Sequence, residues 1–195
     1  MKKIKFGEYF IQLLLVIVGV FLGMLASDWN SNKKQEENKK EVLSNIKSEI
    51  TANKLIIESA LKNKNQFYKS FDSIQPLLTA AELNEPLFQK KFEERFPNWN
   101  GVGGEDLPNA MFEMAKFSNL LSSMDIDVTS QLSKIYNLQN SYNDFRKMLL
   151  SNFFDFNSQT TYKDAMRFMW SVRQELGSHE VQLKKEYEKA LQLLD

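Results

Sequence analysis

Cysteine is absent from this 195-residue chain. Its absence excludes disulfides, thiolate nucleophiles, Cys-ligated zinc, iron–sulfur clusters and a lipobox. It leaves the redox compartment open, because a cysteine-free chain tolerates oxidising and reducing conditions alike. Histidine occurs once, as His179, so a two- or three-histidine metal site and a zinc-protease HExxH helix are excluded, and no GxSxG or Walker A sequence is found. The chain is therefore read as not an enzyme, with no catalytic residue, no metal ligand and no cofactor. An excess of charge of one sign is also lacking: 25 basic residues stand against 25 acidic ones. No nucleic-acid partner is expected, and no small-molecule partner is evident. Helix breakers are scarce, with 7 Gly and 4 Pro, and the prolines are confined to Pro76, Pro86, Pro97 and Pro108. Long stretches on either side carry almost none, which predicts an all-α protein with one irregular middle.

What the N-terminus does contain is a hydrophobic run. Lys2, Lys3 and Lys5 precede it, Leu13 to Ala26 (LLLVIVGVFLGMLA) carry no polar side chain, and Tyr9 to Gln12 extend the helix to 18 residues. At about 1.5 Å per residue that is roughly 27 Å, enough to cross a bilayer core. A cleaved signal peptide is disfavoured. Cleavage after Ala26 would put Met24 at the −3 position, and cleavage after Ser27 would put Leu25 there, so neither offers the small-x-small pattern that signal peptidase needs. Tyr9 and Trp29 stand at the two ends, where amphipathic rings prefer the headgroup level, and are the expected membrane-interface anchors. Gly19 and Gly23 form a GxxxG pair, a candidate surface for packing against another membrane helix; the competing view is that glycine is simply common in such helices.

Orientation is nearly balanced by the positive-inside count, since Lys33, Lys34, Lys39 and Lys40 follow the span. Those four alternate with Glu36, Glu37 and Glu41, whereas the N-terminal lysines form a signal-like basic tail. The expectation is a single-pass protein of the bacterial inner membrane with its C-terminal domain outside the cytoplasm, in the periplasm where there are two membranes. Roughly 165 residues remain for that domain, enough for one core. The expected organisation is a basic tail at 1–8, a transmembrane helix at 9–29, a polar stalk at 30–42 and a helical bundle at 43–195, with an irregular connection at about 79–108.

Within the bundle region, Leu43, Ile46, Ile50, Asn53, Ile57, Ala60, Lys64, Phe67, Phe71, Ile74 and Leu78 alternate strictly between three and four residues apart. That period predicts one long, coiled-coil-like helix ending near Pro76. Asn53 and Lys64 interrupt its apolar seam, either fixing register or facing solvent at a frayed contact. Val42, Leu55, Ile56 and Leu61 widen the stripe, which favours packing against the chain's own later helices over a two-stranded coiled coil. The connection is expected to hold a short helix at Leu87 to Phe96, and then the stretch PNWNGVGGEDLP, whose Gly101, Gly103 and Gly104 permit turn conformations. Trp99 is a candidate partner contact or a ring tucked over one end of the bundle.

Three more helices are expected. They are Asn109 to Ser122, then 127–156 with Asp127 as N-cap, then 161–194 with Gly177 as a soft point. An antiparallel bundle is the economical arrangement. The last helix places His179 on its apolar stripe, so His179 is expected to be packed. GVGG follows no strand and precedes no GK[ST], Asp125 and Asp127 lack the rest of a calcium loop, and Glu93, Glu94, Glu105 and Asp106 read as solvated charges.

The run EYFIQLLLVIVGVFLGMLASDWNSNKK, with its terminal pair Trp29 and Asn30, is followed by an LxxIxxEIxxNK helix from Leu43 to Lys54. Together they resemble the N-terminal part of a family of bacterial single-pass membrane proteins of the Bacteroidetes, a domain of unknown function. Ala110 to Phe145 resembles that family's second block, although Ser118 to Ser122 departs from its Ser-Gly turn. The resemblance implies an anchor plus a helical domain and carries no activity. The expected function is a membrane-anchored, non-enzymatic interaction or scaffold protein of the cell envelope. Its partners are then the lipid bilayer and another membrane or envelope protein, or a second copy of itself. The alternative is a ligand-sensing helical bundle that acts through a partner protein.

Overall fold

A computed structural model describes residues 6–194, with side chains from Leu13 onward. The fold is all-α: among the described residues there is no strand, only a single bridge between Pro86 and Thr161. The chain divides into two compact units at Ser44 and Asn45. The helix α1 (Phe6–Ile74) begins in the first and ends in the second.

In the first unit the helix is long and apolar enough to cross a membrane by length and composition. The side chains from Leu13 to Leu25 touch nothing that would remove them from solvent. A row of exposed Leu, Val, Ile and Phe on every face of a helix is stable only in an apolar medium. Glu36 and Lys39 lie 3.9 Å apart on the polar stretch that follows, one turn from each other.

The second unit is built on the 45–74 part of α1, on α5 (Ile126–Phe154) and on the last helical stretch, with four short helices between. The short ones are α2 (Ala80–Leu83), α3 (Phe92–Arg95), α4 (Ala110–Phe117) and α6 (Tyr162–Ser171). Glu49 meets Tyr136 and Asn53 meets Gln139, so α1 and α5 ascend together. The last helix, α7 (Gly177–Leu193), descends against both, because Arg173, Glu180, Lys184 and Glu188 meet Asp72, Lys64, Glu58 and Lys54 in reverse order. Two long helices can run parallel only if the chain returns between them. Residues 75 to 109 make that return, largely without regular structure.

The seam read from the sequence is the core: Ile46, Ile50, Ile57, Ala60, Phe67 and Phe71 are all buried. α1 stops at Ile74, where Pro76 cannot supply the next amide and a short 3₁₀ turn (Gln75–Leu77) takes over. Thr79 and Glu82 form a capping box on α2, and Thr161 and Asp164 form another on α6. Around this end of the unit an aromatic cluster gathers: Phe67, Phe71, Phe96, Trp99, Phe153 and Tyr162.

Four expectations about element boundaries are corrected. Leu87 to Phe96 is not one helix but a 3₁₀ turn (Leu87–Gln89) and then α3, separated by extended Lys90 and Lys91. That break lets both Leu87 and Arg95 reach the interior, Arg95 with its guanidinium 4.6 Å from the Tyr162 ring centroid and 2.8 Å from Glu85. The helix expected at Asn109 to Ser122 ends at Phe117, because Asn119 adopts φ 57° and a 3₁₀ turn (Leu120–Ser123) follows. The N-cap of α5 is Asp125, whose carboxylate accepts from the Asp127 amide at 2.8 Å, not Asp127 itself. The last helix is interrupted, from Val172 to Leu176, by a π turn.

Candidate functional site

The return segment from Asn98 to Asn109 runs beside α1 and α5 with Val102 and Leu107 buried, and where backbone without helix or strand is drawn inside it must find its hydrogen-bond partners elsewhere. Side chains supply them. Asn53 Nδ2 donates to the Pro108 carbonyl at 2.8 Å. Gln139 Nε2 donates to the carbonyls of Leu107 and Pro108, at 3.0 and 2.7 Å. Asn143 brackets Leu107, accepting from its amide and donating to its carbonyl. Tyr187 donates to Gln139 Oε1 at 2.7 Å and completes the set. Asn53 is fully buried, so the first interruption of the α1 seam is a structural anchor for the connection, neither coiled-coil register nor solvent contact.

The second interruption does something different. Lys64 is 7% exposed and donates to Glu180 Oε1 at 2.6 Å, with Glu180 fully buried. Tyr142 donates to the same oxygen at 3.2 Å, and Glu180 Oε2 has no partner. Burial lowers the Lys64 amine from its ordinary value, against the raising pull of the Glu180 carboxylate. Burial likewise raises the phenol of Tyr142, and the Glu180 charge adds to the effect. Such a pair gives little net stability but is costly to break, since either partner alone is an uncompensated charge in a dry interior.

Lys64 also lines a cavity of about 560 Å³, within the range that small ligands occupy. One wall is α1, with Leu55, Ile56, Ala60 and Phe67; the other is the connection from Asn98 to Glu105, and Arg146 of α5 closes the floor beside Lys64. The exposed residues Leu55, Asn98 and Asn100 form its mouth. Two glycines shape it. Gly103 has φ +152°, and a Cβ there would stand 3.1 Å from Leu176 and 3.3 Å from Lys64 Nζ, in the space beside the ammonium. Gly104 brings its backbone against α1, where a Cβ would meet Ile56 and Ala60 at 3.3 and 3.4 Å. Arg146 donates to Asp106 at 2.7 Å through Nη1, while its buried Nε finds no acceptor.

Of the residues singled out in the sequence, the structure brings Lys64, Trp99, Gly101, Gly103, Gly104 and Glu105 to this one cavity. Trp99 is half-buried, edge-on to Phe67 at 4.9 Å and 6.3 Å from Phe153. Its ring is thus both a core contact and a cavity wall. Gly19, Gly23 and Trp29 belong to the first unit: nothing lies within 4 Å of a Cβ at either glycine, and Trp29 is 73% exposed. The side chain of Tyr9 and residues Lys2, Lys3 and Lys5 lie outside what the structure describes. Among the described residues no three acidic or histidine side chains converge, and no metal site is assigned.

Glu180, Tyr142 and Arg146 were not legible as site residues. The period of the last helix places His179 inward, but in the turn after the π segment Val172–Leu176 the buried residue is Glu180, while Leu183, Tyr187 and Ala190 keep the interior positions that the period gives them. His179 sits half-buried with its ring 5.8 Å from Phe145. The sequence signal for this exchange is weak: SVRQELGSHE reads equally well as continuous helix. Compared with models of known protein families, with curated proteins and with solved structures, the chain matches none. Its site is read from its own residues alone.

Proposed function

We propose that this chain is a membrane-anchored binding protein of the bacterial cell envelope, whose helical domain takes a small ligand in the cavity between α1 and the 98–105 connection. The observation that carries the reading is the cavity itself, its surface mostly apolar with Ser59, Asn63, Asn98 and Asn100 also in the lining, and a buried Lys64 at its floor. Apolar walls with a few fixed polar groups are the ordinary design of a ligand site. Binding is favoured over catalysis because the ammonium of Lys64 and the carboxylate of Glu180 engage each other, so neither is held free as nucleophile or base. The anchor is the Leu13 to Ala26 run, with the domain on the extracytoplasmic side. The likeness to single-pass membrane proteins of the Bacteroidetes agrees with that arrangement.

The connection that walls the cavity is also the segment tying α1 to α5, so occupancy would stiffen it and alter the surface offered to a partner protein. A scaffold role without a ligand is the second reading. It is favoured by Phe117 and Ile126, which are 89% and 80% exposed on either side of the Leu120–Ser123 turn, since exposed large apolar groups mark protein contacts. Co-purification decides between them. Full-length protein extracted from its own membrane is denatured and its small-molecule content compared with that of an Ala60→Phe variant, which fills the cavity. A compound released by the wild type and missing from the variant is expected; identical extracts, with a stoichiometric protein partner in both, would establish the scaffold reading instead.

A further inference from the structure

The polar groups of this cavity are unequally satisfied, and the inequality specifies the ligand. An ammonium has three N–H donors and a guanidinium five. Lys64 Nζ makes one hydrogen bond, to Glu180, and its head stands at the Gly103 wall of the cavity. Arg146 lines the cavity with its Nε buried out of a ligand's reach and its Nη1 taken by Asp106, which leaves Nη2 as its open donor. The floor thus offers donors that lack acceptors. Its charge, by contrast, is already balanced: Lys64 against Glu180, Arg146 against Asp106, with Glu105 adding a further negative charge at the rim. A ligand carboxylate would bring a third carboxylate beside Glu180, whose Oε2 is itself without a partner, and buried like charges repel strongly. A ligand cation would face Lys64 and Arg146.

We propose, resting on the binding reading above, that the cavity takes an uncharged amphiphile whose carbonyl oxygen, as an amide, ester or ketone, accepts from Lys64 and Arg146 while its apolar body lies against Ile56, Phe67 and Trp99. The carbonyl offers two lone pairs and no charge, which matches two donors without disturbing either ion pair. The aromatic and aliphatic walls supply non-directional attraction for a body of variable shape. Gly103 matters here as space, because any side chain at that position would occupy the gap next to the Lys64 ammonium.

The test uses three isosteres that share one body and differ in charge: 4-phenylbutanamide, 4-phenylbutanoate and 4-phenylbutylammonium. Each is titrated into the full-length protein in lipid nanodiscs. Trp29→Phe and Trp170→Phe leave Trp99 as the sole tryptophan reporter. The amide is expected to bind about tenfold or more tightly than either charged isostere. That preference is expected to vanish in Lys64→Met/Glu180→Met, a variant that removes both charges together and so avoids stranding one. Arg146→Leu, which leaves the buried pair intact, is expected to weaken the amide and to strengthen the ammonium, because it removes one of the two cations that face it and frees Asp106.

Tighter binding of the butanoate would overturn the uncharged-acceptor assignment and leave the binding reading standing. Equal affinity for all three would show that the floor donors take no part, and would also overturn it. No Trp99 response to any of them by about 10 mM would sink the assignment too, and the co-purification comparison would then decide separately whether the cavity binds anything.

Discussion

Lys64 and Glu180 make the sharpest case at the scale of single residues. Removing the amine leaves a fully buried carboxylate without a counter-charge, so Lys64→Met should cost about 3–5 kcal/mol. Lys64→Met/Glu180→Met should cost less than Lys64→Met alone, because two similar apolar side chains replace two ions that had to be desolvated. Urea unfolding of the four proteins in the cycle measures both; a double variant less stable than the single would show that the pair contributes net stability. Gly103→Ala combines an unfavourable φ with a 3.1 Å approach to Leu176 and should cost about 1–3 kcal/mol in the same assay.

The buried tyrosines give a pH dependence. Burial raises the phenols of Tyr136, Tyr142 and Tyr187 above their ordinary value of 10.0, and hydrogen bonding to Glu49 adds to the effect at Tyr136. Tyr68 and Tyr162 are raised in the same sense, so the folded chain keeps phenol protons that the unfolded chain releases. Their stabilising contribution is complete below about pH 10 and is lost as the pH rises above it, by up to ~1.4 kcal/mol per pH unit for each tyrosine. Lys64 acts in the opposite sense only below its ordinary value of 10.5, where the folded chain gives up that proton first; above it both states have lost the proton and the tyrosines act alone. The urea midpoint should hold steady up to about pH 9 and fall steeply by pH 11. A flat profile across that interval would show that the phenols are solvated.

At the scale of elements, the return segment is the unusual part. It lies in a groove that a bundle would ordinarily fill with a helix, and three amide side chains, Asn53, Gln139 and Asn143, take the place of the missing backbone ladder. Gln139→Leu should leave the Leu107 and Pro108 carbonyls short of donors, at a cost of about 1–3 kcal/mol. Amide hydrogen exchange from Gly101 to Leu107 should quicken more than exchange in α5 itself. A uniform change over the whole bundle would mean that the segment has no stability of its own to lose. The π turn at Val172–Leu176 is the second such device. It directly precedes the turn in which Glu180 rather than His179 is buried against Lys64, at the floor of the cavity.

One chain carries both an apolar helix that is a candidate membrane span and a helical bundle whose mostly apolar cavity has a polar floor. Its direction across the membrane is testable with a single cysteine, since the chain has none of its own. Ser31→Cys should react with a membrane-impermeant maleimide while the inner membrane is intact. Labelling only after that membrane is opened would place the domain in the cytoplasm.

The amino-acid sequence by itself determined the all-α class, the apolar helix, the end of α1 at Pro76 and the seam from Ile46 to Phe71. Each of these depends on local composition or on a period repeated many times, so neighbouring residues suffice to specify it. It also marked Asn53, Lys64, Trp99 and the 101–104 glycines as departures from the pattern. What those departures mean was decided only by tertiary structure. Asn53 donates to a carbonyl 55 residues away and Lys64 to a carboxylate 116 residues away, separations at which no local pattern exists. The partner Glu180 was hidden because the period of its helix points to the neighbouring His179 instead. A buried polar residue is intelligible only through what it meets, and what it meets is set by how distant segments pack.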